Sequence, residues 1–276
     1  MIIHGHGYSF IAPAFKLEWS KLCFELANLS NSIAMQTPYF DVETKSVVNQ
    51  ELQIPTEYED HVWKVPNIIH TGSLLVLSSN LNSIANIVRG EYFLPPNLIA
   101  PQARIMLEIT SLLTFLSCSD APLRTARALD TLSKKMTTDT ARTSPILEQQ
   151  YSAYAGFANR YKNCNPGVKV STGGYREFVG KQLPELDEGT LYSTLCAYTH
   201  HNAYIAFEYM VKPVSNPTSM EAEALDYVGI AVKCAIKSAF MTLEHRDPNE
   251  RLEPYLELQR IENRSLELLL VEQLNQ

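Results

Sequence analysis

The chain has 276 residues, of which 45% are apolar and 19% charged, and a formal net charge of −7. That composition supports a sizeable core and excludes intrinsic disorder. An acidic balance without a basic stripe argues against nucleic acid as a partner. Five scattered cysteines, with no Cys-x-x-Cys unit, read as small buried hydrophobes of a reducing compartment. Residues 1–15 lack a basic region followed by a long apolar run, so no secretory signal is read there. The longest charge-free stretch, 65–88, carries Asn67, Asn80, Asn82 and Asn86, which are costly in lipid. The expectation is a cytoplasmic protein without a membrane partner.

Helical periodicity dominates the chain. Residues 15–36 form the first expected helix, with Leu22, Leu26, Leu29 and Ile33 on one face and Pro38 as a stop. Residues 39–66 look least helical, and their valines suggest a β-hairpin or an extended arm. A second helix covers 67–89 and ends at Gly90. A third, 97–118, is apolar on nearly every side, which marks a central helix. Asp120 suits the N-cap of a fourth helix over 121–136. Ser144-Pro145 opens a fifth that runs to Cys164. A short helical segment covers 175–182, followed by a sixth long helix over 187–211. Thr218 and Glu221 fit a capping box at the start of the seventh, which reaches His245. The last, 254–274, carries Leu258, Ile261, Ser265, Leu268 and Leu269 on one stripe with charges opposite. The predicted fold is a single all-α domain, an irregular antiparallel bundle of seven to eight helices centred on the third and sixth.

Two helices put ionisable groups among apolar neighbours. Arg104 and Glu108 are the only charges in 97–118, and lie on adjacent turns of one face. They need partners: each other, or groups on the sixth helix. One reading is a structural ion pair that fixes helix register. The other is a contact from Arg104 to a small anionic ligand, with Glu108 positioning it. The sixth helix carries Tyr192, His200, His201, Tyr204 and Glu208. Consecutive histidines point about 100° apart, so one faces the core and the other a rim; His200, beside Tyr204 and Phe207, is the inward candidate. It is either a satisfied core histidine or a general acid–base. An enzymatic or ligand-binding reading therefore takes His200, Glu108 and Tyr192 as catalytic candidates, and Arg104, Tyr204 and Arg127 as ligand contacts. Arg124, Arg127, Lys134, Lys135 and Arg142 form a basic stretch, read as a solvated helix face.

Other chemistry lacks its signature. There is no phosphate loop, dinucleotide fingerprint, nucleophile elbow or Glu-x-x-His pair. The His4-Gly5-His6 pair has no third ligand. No metal and no cofactor are expected.

The Arg104-Ile105-Met106-Leu107-Glu108 helix, the arginines 124 and 127, and the later Tyr192-x-x-Leu195-x-x-x-x-His200 pattern resemble a loose group of uncharacterised all-helical bacterial proteins. The resemblance covers 97–211 and implies no particular activity. The bundle is also similar in architecture to HEPN-type ribonucleases of defence and toxin systems. That family's Arg-x4-6-His motif is absent, since no arginine stands at that spacing before any histidine. The leading expectation is a protein that works by association with itself or a partner in a bacterial stress or antiviral system, with the amphipathic last helix as the association element.

Overall fold

A computed structural model describes residues 2–5, 8–39, 41–90, 93–135, 144–186, 190–199 and 217–273. Ten α-helices run through the described residues, beside one short β-hairpin. Strands β1 (Ile2–Gly5) and β2 (Tyr8–Ile11) pair antiparallel, Ile2 opposite Ile11 and His4 opposite Ser9. An isolated hairpin is marginal in water, and β2 rests on a long helix near the C-terminus.

Helix α1 (Pro13–Met35) starts with proline in its first turn and packs along α3 (Val65–Gly90). Between them lies the clearest departure from the sequence expectation. Residues 39–66 are neither an extended arm nor a β-hairpin. They form helix α2 (Val42–Glu51) and two 3-10 turns, Thr56–Tyr58 and Val62–Lys64. The reason is local and tertiary at once. Asp41 caps α2, accepting from the backbone N–H groups of Glu43 and Thr44. Val48, Leu52, Ile54 and Val62 are then buried in a common cluster. With α2 added, the described residues hold ten helices against the expected seven to eight.

Helices α4 (Pro96–Leu116), α5 (Ala121–Lys135), α6 (Pro145–Cys164) and α7 (Tyr175–Gln182) lie within a residue or two of expectation. Asp120 does cap α5, through Leu123 N. Ser144 precedes α6 as expected, but its side chain makes no cap hydrogen bond. Helix α8 (Leu191–Thr199) is the described part of the sixth expected helix. Helices α9 (Pro217–Leu243) and α10 (Leu252–Gln273) complete the chain.

Two apolar clusters share α4 as a spine. Ile99, Ala103, Met106 and Leu107 enter the first, with α1, α3, α8, α9 and α10. Leu112, Phe115 and Leu116 enter the second, with α2, α5, α6 and α7. By length and apolarity α4 could cross a membrane, but its apolar surface is spent on these two clusters. The second central helix is α9, whose inner face is buried from Ala224 to Leu243. Gly229 permits its close packing: a Cβ there would meet Leu269 of α10 at 3.1 Å and Trp19 of α1 at 3.7 Å.

The capping-box reading of Thr218 and Glu221 does not hold. Helix α9 begins at Pro217, and Glu221 is fully buried. Its carboxylate accepts from Lys16 Nζ at 2.8 Å, from Ile11 N at 2.7 Å and from Leu94 N at 3.2 Å. One side chain thus joins β2, α1, the lead into α4, and α9. Removing one partner of a buried pair costs about 3–5 kcal/mol, so Glu221→Ala lowers unfolding free energy by that order in denaturant titration. Lys16→Met with Glu221→Leu recovers only part of the loss, because two backbone N–H groups stay without an acceptor.

Candidate functional site

The sequence-predicted residues divide between two places. Arg104, Glu108 and Tyr192 do come together. Glu108 Oε1 accepts from Arg104 Nε at 3.0 Å and from the Tyr192 hydroxyl at 2.7 Å. The guanidinium lies 5.7 Å from the centre of the Tyr192 ring. The side chains of Arg104 and Glu108 remain 20% and 23% exposed, so the group sits at a rim and not in a dry interior. Burial and the Glu108 carboxylate both hold the Tyr192 hydroxyl protonated, well above its ordinary range. A second contact of the same kind sits further along α8. The Tyr198 and Tyr227 hydroxyls donate to Glu223 Oε1 at 2.6 and 2.7 Å. Helix α8 is therefore fastened to α4 and α9 by tyrosine hydroxyls on carboxylates. His200 and Tyr204 lie outside the described residues.

Arg127 belongs elsewhere. It donates from Nη1 to Phe115 O at 2.7 Å and from Nε to Lys169 O at 3.0 Å, and stacks 4.2 Å from the Phe115 ring centre. Arg124 donates to Cys118 O at 2.7 Å. These arginines hold the C-terminal end of α4, where carbonyls lack helical partners. They do not form the solvated face that charge spacing suggested. Lys134 pairs with Asp130.

The polar cluster that sequence reading missed is at the far end of α9. His70 and Arg246 are fully buried. His70 Nδ1 is 3.4 Å from Thr242 Oγ1, and its ring stands edge-on to His245 at 4.8 Å. Arg246 donates to Ile33 O at 3.1 Å and to Thr71 Oγ1 at 2.7 Å, so it caps the C-terminal turn of α1. His70 Nε2, His245 Nε2 and Arg246 Nη1 are buried without a hydrogen-bond partner. Burial, with the charges of Arg124, Arg246 and Arg251, pushes His245 down to about 4. Burial also lowers His70 well below its ordinary range, helped by His245, Arg124 and Arg246. His245 also lines a cleft of about 360 Å³ with Trp63, Asn67, Cys118 and Arg124. Burial raises the Cys118 thiol, which argues against a nucleophile there. His70 was visible in the sequence as the one ionisable side chain of the 65–88 stretch, but nothing local linked it to residue 245.

No family model matches this chain, and neither a curated protein nor a solved structure is similar enough to count as a match. The site must be read from its own chemistry.

The last helix also differs from expectation. The stripe Leu258, Ile261 and Ser265 is buried against the chain's own bundle. The opposite face is not simply charged. Leu252, Leu256, Leu266 and Leu270 stand there 68%, 56%, 48% and 59% exposed.

Two measurements follow. Tyr192→Phe removes one hydrogen bond to a carboxylate and lowers unfolding free energy by about 1.5 kcal/mol, with helicity by circular dichroism unchanged. The buried imidazoles give a pH signature. Their folded values lie below the unfolded value of about 6.5, so the unfolded chain binds more protons in between. Stability is complete above about pH 6.5 and falls as pH drops toward about 4. The denaturation midpoint traces this decline, and His245→Gln makes it shallower; an unchanged slope would assign the decline to other groups.

Proposed function

We propose that this protein works by self-association, pairing with a second copy through the outward face of α10. The observation that carries the reading is the row Leu252, Leu256, Gln259, Asn263, Leu266, Leu270. Its members are all exposed. They follow steps of four, three, four, three and four, the spacing of a coiled-coil seam. The row also reads the same in both directions: two leucines, two amides, two leucines. In an antiparallel two-fold pair centred near Ile261, leucine meets leucine and Gln259 meets Asn263. A self-complementary patch of that kind is what a two-fold interface requires. Tyr255 and Val271, both exposed, extend the apolar face. The core side of α10 is already filled, so the helix has one face for its own fold and one for a partner.

Sedimentation velocity tests this on the full chain. A dimer is expected, and Leu266→Glu dissociates it, because each copy loses about 1.5–3 kcal/mol of leucine burial, more than 100-fold in Kd when counted twice. Glu253 and Glu267 approach each other across the two-fold, so added salt tightens the dimer. A monomer at all concentrations, or a dimer indifferent to Leu266→Glu, removes the reading.

A further inference from the structure

The charge-free stretch 65–88 makes up nearly all of α3, and one side of that helix faces water. Its outward row is Ile68, Gly72, Val76, Ser79, Ser83 and Asn86, every member exposed. The outer face of a surface helix ordinarily carries charge. Here about five turns carry none, in a chain that is 19% charged.

The polar groups of this side are turned back onto their own helix. Asn80 Nδ2 donates to Val76 O at 2.9 Å, Ser83 Oγ to Ser79 O at 3.0 Å and Asn86 Nδ2 to Asn82 O at 2.9 Å. Such bonds satisfy donors within the helix and leave a surface less polar than its composition. Gly72 is not required by the chain's own packing, since a Cβ there would meet nothing within 4 Å, and glycine weakens a helix interior. Helix α1 continues the face. Ala27 O accepts from Ser78 Oγ of α3, and Asn31 and Met35 follow one and two turns later on that flank, both exposed. Arg246 bridges Ala34 O and Thr71 Oγ1, which brings the Met35 end of α1 alongside Gly72. Met35, Ile68 and Val76 are 68%, 62% and 45% exposed.

Charge, symmetry and area all point to a second copy of the chain as the occupant. Lipid is disfavoured, because the amides of Asn80 and Asn86 would enter it. Two copies with seven excess negative charges each repel one another, and this face lets them meet without apposing charge. In an antiparallel pair crossing at Val76, Val76 meets Val76, Gly72 meets Asn80 and Ser79 meets Ser73, the self-complementarity a two-fold contact requires. About 27 Å of α3 and a width of about two helices give roughly 1,000 Å² in the pair, the lower end of specific interfaces.

We propose that the outer face of α3, with the adjoining flank of α1, is a second self-docking surface. It goes beyond the α10 pairing and does not depend on it. A chain with two separate two-fold faces grows from dimer to tetramer or a longer array as concentration rises.

Sedimentation velocity on the full chain across a concentration series tests this. Leu266→Glu, which closes the α10 face, still doubles in mass as concentration rises toward about 1 mM. Adding Gly72→Arg raises the Kd of that step at least about tenfold, and Val76→Glu acts alike. Gly72→Arg replaces a poor helix former at an open position, so its thermal midpoint is no lower and lost assembly is not lost folding. Ile146→Glu, at another exposed apolar position on α6, leaves the doubling unchanged. A Leu266→Glu chain that stays monomeric throughout, or a doubling indifferent to Gly72→Arg and Val76→Glu, overturns the proposal. So does co-sedimentation with neutral phosphatidylcholine vesicles that Val76→Glu abolishes, which assigns the face to lipid. If the α10 pairing is absent, Leu266→Glu changes nothing and Gly72→Arg alone gives the monomer, so the two readings fail separately.

Discussion

The architecture depends on the carboxylate of Glu221. Its oxygens accept from one ammonium and two backbone N–H groups, contributed by β2, α1 and the lead into α4. A buried carboxylate is tolerable only when its lone pairs are filled, and here each donor lies more than 120 residues from Glu221 in sequence. The pair supplies specificity of assembly more than net stability. It dictates where β2 lies on α9, how α1 enters the bundle, and where the chain turns into α4.

From that anchor, α4 and α9 can serve as paired central helices. Helix α4 is long enough to reach both apolar clusters, and α9 seals the first. The remaining elements then differ in how firmly they are held. Helix α1 is fixed by Trp19 and the leucines on its inner face. Helix α8 is held partly by Tyr192 on Glu108 and Tyr198 on Glu223, bonds close to solvent. Elements fastened at a rim open at lower free energy than those fastened in a core. The Arg104 group thus takes part in the attachment of α8.

Most helix boundaries were legible in the sequence because proline and capping residues act locally. Pro145 and Asp120 mark starts without help from distant chain. Helix α2 was missed because its valines mimic strand alternation, while the deciding signal was the single Asp41 side chain. Glu221 was misread for the opposite reason. Its spacing from Thr218 satisfies a local rule, but Lys16 and two distant N–H groups compete for the same carboxylate and win. The meeting of Tyr192 with Glu108 could be anticipated, since a charge pair on an apolar helix demands partners. The His70–His245 contact could not, because it joins residues on α3 and just beyond α9 that only the folded chain brings together. Leucines on α10 were partly read: one stripe stood out, and the second was hidden among glutamates.

The charge distribution links the cleft to the rest of the molecule. The chain carries seven excess negative charges, yet Arg124, Arg246 and Arg251 gather around His245 without forming an ion pair among the described residues. Two of these arginines satisfy carbonyls at helix ends: Arg246 closes α1, and Arg124 serves the turn after α4. Helix C-termini attract cations, so each guanidinium has a structural reason to be present. Structural capping does not, however, require three of them at one point, nor does it occupy all their N–H groups. Burial depresses both imidazoles, and the charges of the nearby guanidiniums add to it. Protonating either imidazole would set a further charge beside these guanidiniums in a buried corner, so the acid sensitivity of the protein and the packing of α1, α3 and α9 have one cause.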